Sequence, residues 1–103
     1  EMKSKSFAQQ LVEDRRLCML RVLSEQPGRT ANSSVLHMGV VHLRHVCSRA
    51  DAINDLRVLE LHQLVTLEQL TDTVYGAELT GHGEDFLRGH FDIDGVSRPR
   101  RGI

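Results

Sequence analysis

The apolar residues of this chain repeat at threes and fours as far as His62, and at twos beyond it. A period near 3.6 buries one face of a helix, whereas a period of two buries one face of a strand. The order is therefore helices first and a small antiparallel sheet second. With 103 residues the chain has room for one domain, because single domains cluster near ~100–150 residues. That length excludes a closed α/β barrel, a two-domain nucleotide-binding enzyme and a polytopic membrane protein. No apolar run nears the ~18 residues of a membrane span, and no signal-peptide pattern opens the sequence. The expectation is a small cytoplasmic domain.

The first helix is expected over residues 6–26. Leu17, Leu20 and Leu23 recur at threes, Phe7 and Leu11 extend the stripe, and Pro27-Gly28 stops it. The second is expected over 33–45, capped by Asn32, with Leu36, Val40 and Leu43 on its apolar face. The third is expected over 48–62, where Ser48 and Asp51 have capping-box spacing and Ile53, Leu56 and Leu59 line one side. Alternation from Val65 to Gln69, then Val74, Tyr75 and Leu79, places a hairpin within 64–79 across Leu70-Thr71-Asp72-Thr73. A short helix interrupted by Gly81 and Gly83 follows over 80–90. Residues 6–92 thus form the expected domain, and 93–103 an irregular basic tail. Three helices followed by a hairpin is the order of a winged helix-turn-helix, an α+β fold. This reading leaves no strand between Arg29 and His45, and a strand there would count against it.

The residues also carry a family resemblance. Glu13-Asp14-Arg15-Arg16-Leu17, Ala31-Asn32, Val46-Cys47-Ser48-Arg49 and Asp55-Leu56 belong to it. Leu64-Val65-Thr66, Leu79-Thr80 with Gly83, and Gly95-Val96-Ser97-Arg98-Pro99 continue it. Over roughly positions 7–100 the chain resembles a family of small winged-helix proteins of Mu-like prophages, which has no established activity. The resemblance implies a winged-helix fold in a bacterial host. Such proteins usually place Gly before the Leu-Val-Thr strand, where this chain has Gln63.

The formal net charge is −1, so there is no overall pull toward a polyanion. The segments differ. Residues 27–47 hold Arg29 and Arg44 and no acid, residues 63–95 hold seven acids against Arg88, and the end carries Arg98, Arg100 and Arg101. If the fold binds double-stranded DNA, its third helix enters the major groove by its N-terminal part. Ser48, Arg49, Asn54 and Arg57 are then the expected contacts, with Arg44, Arg98, Arg100 and Arg101 on phosphates. Asn suits adenine and Arg suits guanine or phosphate. Asp51 and Asp55 are expected on the same face, where their charge opposes DNA, and the hairpin offers Glu68 and Asp72 without a cation.

Val58 and Leu61 are apolar where a DNA-reading helix is polar, which suits a protein partner better. Phe7 with Leu11, and Phe86 with Leu87 and Phe91, are two further expected apolar patches, which twofold pairing would bury; the alternatives are that Leu61 tucks under the hairpin and Phe86 closes the core, or that helix one folds back over the last helix. The alternative function is therefore a protein-interaction domain, with a homodimer expected. His42 and His45, three apart, followed by Cys47, are the nearest approach to a metal motif. No CxxC or HExxH is present, so neither metal nor cofactor is expected. Phosphate-loop glycine motifs and a nucleophile elbow are also missing, and an enzyme is not expected.

Overall fold

The computed structural model describes residues 4–99. Its order is α1 (Phe7–Ser24), a short 3-10 turn (Pro27–Arg29), β1 (Thr30–Asn32), α2 (Ser33–His42), α3 (Arg49–Leu61), β2 (Val65–Gln69), β3 (Tyr75–Leu79) and α4 (Gly81–Leu87). The described residues make an α+β fold with four α-helices and one antiparallel sheet of order β1-β3-β2. The β2–β3 hairpin pairs Val65 with Leu79 and Gln69 with Tyr75. β1 pairs Thr30 with Glu78 and Asn32 with Gly76. This strand corrects the expectation that no strand lies between the helices. Three residues are too few to show a period of two, and β1 exists only through its pairing with β3.

The helix starts follow their local chemistry. Ser6 caps α1 through a capping box with Gln9, Asn32 accepts from the Val35 N–H, and Ser48 and Asp51 exchange hydrogen bonds at the start of α3. The ends are less ordinary. After α2, the Arg44 N–H donates to Val41 O and the His45 N–H to Val40 O, with Arg44 at φ 73°. After α3, Gln63 donates to Glu60 O and Leu64 to Leu59 O, with Gln63 at φ 63°. Both are Schellman motifs closed by a residue that has a Cβ. Gln63 thus takes the left-handed conformation usually given to glycine, and the turn into β2 is made without one.

Leu17, Leu20 and Leu23 of α1, Leu36 and Val40 of α2, and Leu56 and Leu59 of α3 meet Leu64, Val65, Ala77 and Leu79 under the sheet. Phe86 of α4 is fully buried among them. This corrects its expected place on a surface patch. Leu87 and Phe91 are half-buried against the same core, and Phe91 lies between the rings of His82 at 4.3 Å and Phe86 at 5.8 Å. The reason is Gly83: a Cβ there would collide with the Leu64 carbonyl and the Leu79 side chain. Without one, α4 lies close enough to β2 for its aromatics to turn inward. Of the two expected patches, only Phe7 and Leu11 remain exposed.

Residues 93–99 contain no helix or strand, yet they are tied to the domain. Val96 is buried, the Ser97 N–H donates to Glu13 O, and Arg16 Nη1 donates to Gly95 O at 2.9 Å. Among the described residues no helix is long and apolar enough to cross a membrane.

Left-handed backbone costs a residue with a Cβ ~1–2 kcal/mol, and glycine returns part of that as unfolded-state entropy. Gln63→Gly should therefore stabilise the protein by about 0.5–1 kcal/mol, read as a higher urea midpoint. A lower midpoint would show that the Gln63 side chain contributes more than its backbone strain removes.

Candidate nucleic-acid interface

The exposed stripe of α3 runs through Ala50, Asn54, Arg57 and Leu61, with Arg49 and Asp51 beside its first turn and Val58 half-buried. Ala52, Leu56 and Leu59 point into the core. Asp55 joins them, fully buried, which corrects its expected place on the outward face. It lies four residues before Leu59, roughly 40° around the helix, so it borders the buried arc. Two cations make that burial tolerable. Arg15 donates to Asp55 through Nε at 2.5 Å and Nη2 at 3.2 Å, and Arg16 donates through Nε at 3.0 Å. A buried carboxylate needs such partners.

Asp51 does not act as a free surface charge either. It accepts from the Ser48 N–H at 3.0 Å, and that backbone bond, helped by the Ser48 side chain, holds its carboxyl below the usual range. Its charge sits at the positive end of the helix dipole. The two acids expected to oppose DNA are therefore a buried clamp and a helix cap.

The cations of the face are tethered by the hairpin. Arg57 Nη2 donates to the Tyr75 hydroxyl at 2.6 Å and its guanidinium lies 5.0 Å from the centre of the Tyr75 ring. Arg49 Nη2 donates to Ser34 Oγ at 2.8 Å and to Thr73 O at 3.4 Å. Ser33 Oγ accepts from the Tyr75 N–H, joining the start of α2 to the same strand. Ahead of α3, a His37 ring nitrogen donates to Cys47 O at 2.8 Å and anchors the turn to α2.

Elsewhere the basic residues are mostly matched by acids. Lys5 pairs with Glu13 at 2.7 Å, Arg29 with Glu84 at 2.6 Å and Arg98 with Asp92 at 2.8 Å. The expected phosphate contact Arg98 is thus already bound to a carboxylate, and Arg100 and Arg101 lie outside the described residues. Within those residues, four arginines stand outside any ion pair: Arg21 on α1, Arg44 in the α2–α3 turn, and Arg49 and Arg57 on α3. Three of the four are on the expected DNA-reading unit.

The surface is also apolar in places. Val46 is 96% exposed, Leu61 78% and Met38 68%, and Val35, Val41 and Leu43 are exposed as well. Leu36 and Val40 are buried as expected, whereas Leu43, expected on the same face of α2, is exposed because the helix ends at His42 and Leu43 falls in its C-cap.

His42 and His45 do not share a helical face, because α2 ends at His42 and His45 turns toward α1. There Asp14, Cys18 and His45 bring their ligand atoms within 4.8 Å of one another. Burial, and then the Asp14 charge, push the Cys18 thiol pKa up; burial likewise pushes up that of Cys47.

An uncharacterised protein of Haemophilus influenzae is 39% identical to the chain over 75 residues, which are 73% of this chain and 72% of that protein. No protein-family model matches the chain, and no solved structure matches it.

Removing one partner of a buried ion pair strands the others, at about 3–5 kcal/mol. Asp55→Ala should cost that much in urea unfolding, whereas Asp72→Ala on the hairpin should stay within about 0.5 kcal/mol. A loss below about 1 kcal/mol at Asp55 would remove the clamp from the account of how α3 is held.

Proposed function

We propose, from the geometry of α3, that this chain, which belongs to the same family as the Haemophilus influenzae protein, is a winged helix-turn-helix that binds double-stranded DNA. The observation that carries this reading is the placement of the unpaired arginines. Arg44, Arg49 and Arg57 stand around one helix whose acids are the buried clamp Asp55, the helix cap Asp51 and, at its far end, exposed Glu60, which accepts from the Leu67 N–H. The succession of α2, a turn, α3 and a hairpin supports the fold; β1, which the expected order lacked, precedes α2 as a three-residue edge strand on β3 and does not interrupt that succession. In this arrangement α3 lies in the major groove, Asn54 and Arg57 face base edges, and Ser48, Arg49 and Arg44 approach the backbone. Tyr75 and Thr73 hold the two α3 arginines near the hairpin, so little side-chain freedom is lost when they engage. The reading extends to a regulator of prophage origin, acting in the bacterial cytoplasm. Catalysis has no part in it.

Selection of bound fragments from phage and host DNA at physiological salt tests the proposal. A recovered motif should lose ~1–3 kcal/mol of discrimination at one base position in Asn54→Ala. Arg57→Ala should weaken binding as well, and Arg44→Ala should lower affinity on all sequences alike and flatten the salt slope. Sequence-independent recovery with no effect of these changes would refute the reading.

A second reading rests on the exposed apolar side chains. Leu61 with half-buried Val58 on α3, Met38 and Val46 nearby, and Phe7 with Leu11 on α1 suit a protein partner or a second copy of the chain. Light scattering separates these cases. A mass near 11.6 kDa across a hundredfold dilution excludes the homodimer. If the mass doubles, Phe7→Asp should return it to the monomer with the fold intact. Phe86→Asp, by contrast, buries a charge in the core and should unfold the chain, since loss of a buried Phe alone costs ~3–5 kcal/mol.

A further inference from the structure

Three chemically different ligand groups meet at one point between α1 and the α2–α3 turn. Asp14 and Cys18 stand one helical turn apart on α1, where side chains at i and i+4 are neighbours. His45 reaches them from the turn, delivered there by the left-handed backbone at Arg44. Cys18 Sγ lies 3.5 Å from His45 Nε2 and 3.8 Å from Asp14 Oδ2, and His45 Nε2 lies 3.0 Å from the same Oδ2. One ring nitrogen therefore faces both partners. In a proton relay the histidine uses one nitrogen for the nucleophile and the other for the carboxylate. Here the three groups converge instead on a common centre.

The size of the triangle is informative. A tetrahedral zinc ion binds S, N and O at ~2.0–2.3 Å, which sets its ligand atoms ~3.4–3.6 Å apart. The three separations fall within about 0.4 Å of those values. We propose that Asp14, Cys18 and His45 form a site for a thiophilic divalent cation, of which zinc is the type, tying the α2–α3 turn to α1. The ligand set selects the metal class: a thiolate and an imidazole suit zinc or cobalt, whereas magnesium and calcium take oxygen ligands. Half-exposed Asp14 leaves an open side, so water completes the coordination, as in sites that keep one position free. On binding, the ion displaces the Cys18 proton to solvent. His45 is three residues before Ser48, the cap of α3, so the ion braces the segment that sets where α3 begins. The inference does not depend on DNA binding, and its test does not measure it.

The experiment is a titration of the full chain, first stripped with a chelator, with Co2+ as the probe. One equivalent should give the sulfur-to-cobalt charge-transfer absorption of a thiolate ligand, and added Zn2+ should remove it. Zn2+ should also raise the melting temperature, with a shift that grows as the logarithm of its concentration above Kd. Cys18→Ser should abolish the absorption and Cys47→Ser should keep it. His45→Gln, a change in a surface turn, should weaken Co2+ binding tenfold or more, and it carries the test if far-ultraviolet circular dichroism shows Cys18→Ser unfolded. No sulfur absorption in the unchanged protein overturns the proposal. So does absorption that survives Cys18→Ser in a folded protein, or that is lost in Cys47→Ser, or Co2+ affinity unchanged by His45→Gln.

Discussion

The buried carboxylate of Asp55 is the constraint on which the rest of the structure depends. It sits on α3 with no exposure, and both of its cationic partners come from α1, nearly forty residues earlier in the chain. A buried ion pair adds little net stability compared with an apolar contact, but it is exacting about geometry, because each charge left unpaired is severely penalised. Leucines can slide along one another; a carboxylate shared between two guanidiniums cannot. The clamp therefore sets the rotation of α3 about its own axis, and with it the stripe of Asn54, Arg57 and Leu61 that faces outward. Arg16 carries the same constraint further by donating to Gly95 O, so the segment beyond α4 is held through the same side chain.

Much of this architecture was legible in the sequence. The leucine spacing, Asn32, and the Ser48-Asp51 pair mark the helices because periodicity and capping are local, and they act within one turn of chain. The helix ends were overestimated, to Gln26 and His45, because apolar residues continue past the point where the backbone turns. The Schellman closures at Arg44 and Gln63 use residues that carry no glycine signal. β1 was invisible because its partner lies some forty-five residues away, and three residues cannot announce a pairing that only the folded sheet creates.

The outward stripe of α3 was legible in the sequence, and the charges around it were not. Asn54 and Arg57 lie outward where a helical wheel puts them, but the wheel centred the buried arc one step away from Asp55, because an acid is ordinarily assigned to solvent. Only the meeting of α1 with α3 shows that Arg15 and Arg16 are its partners. Phe86 was misplaced for the converse reason: a short helix rich in acids reads as exposed, and the absent Cβ of Gly83, which lets α4 press on the Leu64 carbonyl, has no signature in hydropathy. Asp14 and Cys18 do carry the i, i+4 spacing of a helical ligand pair, but nothing in the sequence links them to His45.

Three of these features, left-handed Arg44, the inward turn of His45 and buried Asp55, lie where α1 packs against the α2–α3 turn and α3. The turn has left-handed Arg44, its flanks are tied by His37 to Cys47 O and by His45 to Asp14, and it leads directly into the cap of α3. Local preference and tertiary structure disagree there, whereas in α1 or the β2–β3 hairpin they agree. Natural chains tolerate such disagreement where the surrounding structure over-determines the strained residue. In this protein three separate tethers supply that over-determination: a histidine to a carbonyl, a histidine to a carboxylate, and an aspartate to two arginines. Each fixes a different degree of freedom of α3, namely its starting point, its distance from α1 and its rotation. A helix meant only to fill a core needs none of these, since its leucines would tolerate small changes in all three. The three tethers therefore hold α3 in one orientation, with Asn54, Arg57 and Leu61 facing outward.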